Sequence, residues 1–172
     1  HKVSSLKAII FKKPNIKTKY FLTFASKISI IQESKRFIEY DKNRWIKKKD
    51  IKKINHLEKD YSKILRLFLK TKYLWGGKTY KGIDCSAILQ LFFYYNCKFY
   101  PRDTKDQIRY SKKIKKRIFK KGDIIFWKGH VGICIDSKKL IHAYGPERKV
   151  LVMPIKKTID RIESTAKPVS YT

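Results

Sequence analysis

A cysteine at the start of a helical pattern, followed by two histidines on strand patterns, constrains the fold of this chain more than any other feature. Cys85 follows a glycine-rich loop, and apolar residues recur at spacings of three and four from Ser86 to Tyr95, which predicts a helix. Asp84 is a candidate N-cap, since a carboxylate there accepts hydrogen bonds from unpaired backbone N–H groups. The sequence therefore predicts a thiol at a helix N-terminus.

The predicted position of Cys85 has a chemical consequence. The unpaired N–H groups and the macrodipole at a helix N-terminus favour an anion, and they lower the pKa of a thiol below its free value of about 8.5. The same N–H groups can stabilise an oxyanion. We therefore predict a reactive thiolate, and the alternative is a small buried apolar residue, as most lone cysteines are.

Two of the four histidines lie on strand patterns downstream of this cysteine. Residues 130–136 alternate with period two, and residues 140–144 form another strand pattern after a turn. Neighbouring antiparallel strands would place His130 and His142 side by side on one face, and a helix packed on that face would bring Cys85 to them. The alternative for either histidine alone is a polar residue at a strand end.

Residues 1–54 have a different pattern, in which short strand candidates recur between polar connections. Such spacing predicts a small β-barrel. The candidates are residues 8–11, 20–24, 27–31, 36–40 and 44–47. We predict two domains, residues 1–54 and residues 55–172, with an amphipathic helix at 58–69 opening the second.

The chain has 172 residues and a net charge of +29, which would attract anionic polymers. The charge is spread along the chain with a local peak at 112–121, and no nucleic-acid-binding motif accompanies it, so we expect no nucleic-acid partner. Cysteines 85, 97 and 134 lack the spacing of a zinc site, and we expect no metal and no cofactor.

No apolar run approaches the ~20 residues that a membrane-spanning helix needs, so we expect no transmembrane segment. We also find no signal-peptide pattern in this chain, but it begins with His1 rather than Met. An upstream segment, such as a signal peptide, can therefore precede it.

Six motifs occur in the order found in the NlpC/P60 family of cell-wall cysteine peptidases, which the chain resembles over about residues 57–160. They are Tyr73-x-Trp-Gly-Gly, Gly82-x-Asp-Cys-Ser, Pro101-Arg-Asp-x-x-x-Gln, Gly122-Asp-x-x-Phe-Trp, His130-Val-Gly-Ile and Ile141-His-Ala. The resemblance implies an α+β, papain-like fold in which a nucleophile helix packs on an antiparallel sheet. Residues 3–54 resemble a bacterial SH3-like module through the segment 45–51, and the alternative is an accessory β-subdomain without a ligand.

The resemblance also implies catalytic roles. Cys85 would be the nucleophile, His130 the base, and His142 the third residue, which orients the base. The family usually has glycine where this chain has Ala87, and we expect the helix to tolerate alanine, a good helix former.

Four further residues are candidates for substrate binding. The resemblance implies substrate contacts by Asp84 and Ser86 and a role for Tyr73 beside the thiol. Arg102 suits a substrate rich in carboxylates. Asp84 has two open roles, because it can cap the helix or pair with a free amine of the substrate.

The function that the resemblance implies is hydrolysis of peptidoglycan stem peptides, at the bond between γ-linked D-glutamate and the diamino acid, through a thioester acyl-enzyme. An amidase or acyltransferase on the same fold is one alternative. A non-catalytic wall-binding protein is another, and it predicts damage to the triad, which the sequence does not show. The expected compartment is the cell envelope, the periplasm or the outside of the cell, with the cytoplasm open for wall recycling. The sequence gives no indication of the oligomeric state.

Overall fold

The structure is a computed structural model that describes residues 1–114 and 118–164, and the backbone of residues 168–171. It divides into two compact units. The first comprises His1–Glu58 with Tyr95–Cys97, and the second comprises Lys59–Tyr94 with Lys98–Thr172. The predicted division between residues 54 and 55 stays a prediction.

The first unit is built from short antiparallel strands. They are β1 Lys2–Val3, β2 Lys7–Lys13, β3 Ile16–Thr23, β4 Gln32–Glu33, β5 Phe37–Asp41, β6 Arg44–Lys47 and β7 Ile51–Lys52, with a 3₁₀ turn at Lys48–Asp50. One sheet has the order β3-β2-β6-β5-β4, and β1 pairs with β7. Val3, Ala8, Ile38, Ile46 and Ile51 form one cluster of its buried core. The assignment of this unit as SH3-like stays a prediction.

One predicted strand in this unit is wrong. Residues 27–31 form only an isolated bridge, between Lys27 and Lys2. The N–H of Ile28 donates to the carbonyl of His1, whereas the N–H of Ile31 donates to the carbonyl of Glu39. Because the two ends of the segment bind different partners, no continuous ladder forms along it.

Within the residues that the structure describes, the second unit combines four helices with a five-stranded antiparallel sheet. The helices are α1 Tyr61–Leu67, α2 Cys85–Tyr95, α3 Thr104–Tyr110 and α4 Ile155–Glu163. The strands are β8 Lys78–Thr79, β9 Gly82–Ile83, β10 Ile124–Trp127, β11 His130–Cys134, β12 Lys139–Tyr144, β13 Lys149–Pro154 and β14 Pro168–Tyr171. The large sheet has the order β13-β12-β11-β10-β14, while β8 and β9 pair separately. The predicted α+β class is confirmed.

The register of β11 and β12 positions the histidines. Ile133 pairs with Ile141 and Cys134 pairs with Leu140, and continuing this register sets His142 opposite Gly132, diagonal to His130. A Cβ on Gly132 would lie 3.2 Å from Leu140 Cδ1 and 3.7 Å from His142 Cβ. The close approach of the β12 side chains therefore favours a glycine there.

The elements of the second unit that have no counterpart among the sequence predictions include α3, α4, β8, β9, β13 and β14. The core of the unit uses α4, because Ile155 and Ile162 pack with Trp127, Cys134 and Leu140. The predicted helix at 58–69 is shorter than expected, since α1 begins after Asp60, whose side chain accepts a hydrogen bond from the N–H of Ser62.

Part of the basic peak at 112–121, residues 115–117, lies outside the described residues. Within the described part of the chain, no helix combines the length and the apolar character needed to span a membrane.

Candidate active site

Helix α2 begins at Cys85, directly after Asp84. Asp84 Oδ1 accepts a 2.8 Å hydrogen bond from the N–H of Ala87, which is the bond that an N-cap residue makes to the third helical position. The predicted N-cap is confirmed. The cap fixes the first turn of α2, and Cys85 is buried in that turn with 3% of its surface exposed.

The thiol of Cys85 lies against the β10–β11 turn. Its Sγ atom is 3.9 Å from the carbonyl oxygen of Gly129, and the backbone N–H of Val131 also reaches it. These two residues flank His130 in the chain. The structure therefore brings Cys85 to the strand end that carries His130, as the sequence predicts.

His130 and His142 lie side by side on the face of β11 and β12. Nε2 of His130 is 2.9 Å from Nδ1 of His142, within hydrogen-bonding distance. His142 is fully buried, whereas His130 is partly exposed. The predicted juxtaposition of the two rings is confirmed.

Residues of β12 and β13 contact the ring of His142. Nε2 of His142 lies 3.3 Å from Sδ of Met153 in β13, and Tyr144 in β12 stacks on the His142 ring at 4.8 Å between centroids. A thioether sulfur can only accept a hydrogen bond, so His142 carries its proton on Nε2 and accepts at Nδ1. His130 Nε2–H must then donate to His142, which leaves the Nδ1 lone pair of His130 free to act as a base.

Burial sets the protonation states of the thiol and the imidazoles. Burial raises the pKa of Cys85 to about 11, although the N–H of Val131 acts in the opposite direction. Burial lowers the pKa of His130 to about 4, and burial together with the nearby His130 lowers the pKa of His142. The thiol and both imidazoles are therefore neutral near pH 7.

The expected lowering of the Cys85 pKa is wrong for this state of the protein. The helix N-terminus does supply favourable N–H groups, including those of Cys85 and Ser86. Removal of the thiolate from water outweighs them, because a buried anion loses more solvation than a few backbone dipoles return. The sequence shows the helix position but not the depth of burial.

Asp84, Ser86 and Arg102 form one hydrogen-bonded cluster. Arg102 Nη2 lies 2.5 Å from Asp84 Oδ2, and Nη1 donates to Asp84 Oδ1 at 3.0 Å and to Ser86 Oγ at 2.8 Å. The N–H of Gly76 also donates to Asp84 Oδ2. The side chain of Asp84 is 8% exposed and that of Arg102 is 27% exposed. A substrate amine at Asp84 would therefore share a carboxylate that is already hydrogen-bonded.

Tyr73 completes the set of predicted site residues. Burial raises the pKa of its phenol to about 12, and the ionised forms of Cys85 and Asp84 act in the same direction. The hydroxyl is therefore a neutral hydrogen-bond donor near the thiol at physiological pH. All seven predicted site residues belong to the second unit.

Three residues around the site were not assigned a role from the sequence. Gln107 is fully buried, and its amide donates to the carbonyls of Ser86 and Pro101 at 3.0 and 2.9 Å, so it ties α2 to the segment that carries Arg102. Tyr144 could have been found, because it follows His142 by two residues on one strand. Met153 could not, because its contact with His142 depends on the β12–β13 register.

A helix that begins with a cysteine and meets histidines on an antiparallel sheet defines the papain-like α+β class. Within that class, the family model described as "NlpC/P60 family" matches residues 70–163, more than half of the chain. The chain belongs to the NlpC/P60 family, and the resemblance seen in the six motifs is confirmed.

Curated relatives are similar to about half of the chain. A "Probable endopeptidase NlpC homolog" of Haemophilus influenzae is 36% identical over 90 residues, which cover 50% of this chain and 49% of that protein. A "Gamma-D-glutamyl-L-lysine dipeptidyl-peptidase" of Bacillus subtilis is 32% identical over 100 residues, which cover 54% of this chain and 34% of that protein. The matched regions thus span half or less of these two relatives.

A solved structure matches almost the whole chain. The crystal structure of an NlpC/P60 family protein from Bacillus cereus has a TM-score of 0.78, and the match covers 97% of this chain and 61% of that one. The two sequences are 23% identical over this match. The likeness shows a shared fold.

Proposed function

We propose that this protein is a cysteine peptidase that hydrolyses stem peptides of peptidoglycan, with Cys85 as nucleophile, His130 as base and His142 as the orienting residue. One observation carries the proposal. A buried thiol at the N-terminus of α2 contacts both chain neighbours of His130, and His130 lies 2.9 Å from His142. Covalent acyl transfer needs a nucleophile, a base and an orienting group, and these contacts support the assignment of the three roles.

The geometry supports a reaction in two stages. Nδ1 of His130 takes the proton of the Cys85 thiol as Sγ attacks the carbonyl carbon, and N–H groups at the start of α2 stabilise the oxyanion. The tetrahedral intermediate expels the amine, which takes the proton from His130 and leaves a thioester on Cys85. Water, deprotonated by His130, then cleaves the thioester and returns the free acid and the thiol.

The proposed bond joins γ-linked D-glutamate to the diamino acid of the stem peptide. The relative from Bacillus subtilis is named for γ-D-glutamyl-L-lysine dipeptidyl-peptidase activity. The guanidinium of Arg102 is 27% exposed beside the thiol-bearing helix, so it can pair with a substrate carboxylate at its exposed side. The proposed place of action is the cell envelope or the outside of the cell.

An amidase or an acyltransferase is the second candidate, because the same acyl-enzyme can form from another bond or can be released to an amine instead of water. A wall-binding protein without activity is less well supported, because all three residues of the proposed triad are present in the sequence and His130 lies 2.9 Å from His142. Reaction products distinguish these alternatives.

The test incubates the protein with L-Ala-γ-D-Glu-L-Lys and with the corresponding diaminopimelate peptide, and identifies the products by mass spectrometry. We expect the dipeptide L-Ala-D-Glu and the free diamino acid, with one water added per bond cleaved. The α-linked isomer is the matched control substrate, and Cys85→Ala is the control variant. Cleavage of another bond, or transfer to an added amine in place of hydrolysis, would overturn the assignment.

A further inference from the structure

A basic cavity in the first unit has no role in the proposed reaction. It has a volume of about 380 Å³, in the range of ligand pockets. Its lining consists of Asn15, Lys35, Arg36, Phe37, Lys47, Lys48 and Lys49. Five of these seven residues are cationic and none is acidic, so the cavity is a concentrated positive site even in a basic chain.

Most of this positive charge is uncompensated. Lys48 Nζ pairs with Glu33 at 2.6 Å, and both side chains are partly exposed. Among the residues that the structure describes, no other ion pair engages the cations of the cavity. Like charges held close together repel one another and destabilise the fold, and a bound anion would remove that cost.

The fold holds these cations together from two strands. Phe37 at the start of β5 pairs with Lys47 at the end of β6, and the N–H of Lys48 donates to the carbonyl of Arg36 at 3.0 Å. The basic residues before β5 and those after β6 are therefore fixed side by side by backbone hydrogen bonds. The cavity is a product of strand pairing and not of one flexible basic run.

We propose that this cavity binds a phosphodiester-linked polyol or sugar chain. An arginine fork and several ammonium groups are the donors that phosphate oxygens accept from, and the cavity is larger than one phosphate requires. Its single aromatic residue, Phe37, is 4% exposed, so it offers no face on which nucleic-acid bases could stack. None of its lining residues is an exposed large apolar side chain, so nothing there would insert into a bilayer.

The test measures binding of a short synthetic glycerol phosphate oligomer to the full chain by isothermal titration calorimetry. The pocket variant is Lys35→Gln with Arg36→Gln and Lys49→Gln. The control removes the same charge from exposed positions of the same unit outside the cavity, with Lys19→Gln, Lys42→Gln and Lys53→Gln. We expect the pocket variant to lose at least about tenfold in affinity and the control less than about twofold, since charge-assisted contacts are lost only in the former.

Equal losses in the two variants, or no binding by the parent protein, would overturn the proposal, because either result would mean diffuse attraction or no site. Two further probes check the ligand class: a single-stranded oligonucleotide of equal charge and phosphatidylglycerol vesicles. Tighter binding of either probe, with the same dependence on the cavity residues, would overturn the assignment to a polyol or sugar phosphate. The assay reads binding and not hydrolysis, so its outcome is independent of the proposed function.

Discussion

At the scale of single residues, the proposed nucleophile and the proposed base are both neutral groups. Burial raises the pKa of Cys85 to about 11 and lowers that of His130 to about 4, because the charged form of each group loses solvation. A thiolate–imidazolium pair is therefore not the resting state. Proton transfer from Cys85 to His130 therefore has to accompany attack. In acid, protonation of His130 removes the base and so limits activity.

The pH profile of hydrolysis tests this view. We expect kcat/KM to keep its plateau below pH 6.5, the ordinary pKa of histidine, and to fall with an apparent pKa near 4 as His130 is protonated. The measurement is the initial rate on L-Ala-γ-D-Glu-L-Lys at low substrate concentration across this range. An acid limb at or above pH 6.5 would contradict the neutral resting pair.

Met153 offers a second test at this scale, because its sulfur lies 3.3 Å from Nε2 of His142. Met153→Leu keeps the volume, a swap that costs less than about 1.5 kcal/mol in stability, but it removes the acceptor that fixes the His142 tautomer. We expect kcat to fall about tenfold, the value of roughly one hydrogen bond, while KM stays near its original value.

Met153→Gln is the matched rescue, since its amide oxygen restores an acceptor. It should recover most of kcat, and ¹⁵N chemical shifts of His142 should report the Nε2–H tautomer in the parent and in this variant only. Full activity of Met153→Leu with an unchanged tautomer would show that the sulfur only fills space.

These residues also show what could be predicted from the sequence at this scale. The period-two pattern of residues 130–136 and the strand after it indicated that His130 and His142 share a face, because local alternation determines which way each side chain points. The protonation states could not be predicted, because burial depends on how α2 packs on the sheet. The contact of Met153 with His142 likewise depends on pairing between strands.

At the scale of elements, the pair of Asp84 and Arg102 joins the start of α2 to the segment before α3. Asp84 caps α2 by accepting a hydrogen bond from the N–H of Ala87, and it also accepts hydrogen bonds from both terminal nitrogens of Arg102. Gln107 in α3 adds a bond to the carbonyl of Ser86. The first turn of α2, which carries the thiol, is therefore held from outside the helix.

Removal of the Arg102 side chain should lower the free energy of unfolding. Arg102→Ala leaves the Asp84 carboxylate buried without its cation, and we expect a loss of about 2 kcal/mol in the free energy of unfolding. This is less than the roughly 3–5 kcal/mol for a fully buried pair, because Arg102 is 27% exposed. Urea denaturation of the parent and the variant measures the loss.

Asp84→Asn is the matched partner change, since asparagine caps helices about as well as aspartate. The double variant should be more stable than Arg102→Ala alone, because no buried charge then remains. The two single variants and the double variant form a double-mutant cycle. If their losses in the free energy of unfolding are additive, the two side chains are not coupled, and substrate binding is then the remaining proposed role of Arg102.

At the scale of the whole molecule, titratable groups link the site to the stability of the chain. His130 and His142 are held neutral in the fold, with the pKa of His130 lowered to about 4 and that of His142 also lowered. In the unfolded chain both rings titrate near 6.5. The unfolded state therefore binds more protons than the folded state between these values, and stability must fall as the pH falls through this window.

Acid destabilisation should accordingly begin well above the pKa values of carboxylates. Between pH 6.5 and pH 5, each of these two histidines should contribute a slope approaching about 1.4 kcal/mol per pH unit to the free energy of unfolding. Urea denaturation at constant ionic strength measures this slope, and His142→Gln should reduce it by about one histidine's contribution, because glutamine does not titrate. Equal slopes in the parent and the variant would mean that His142 takes up its proton in the folded state. The hydrogen bonds from Met153 through His142 to His130 would then not determine the tautomer of His130.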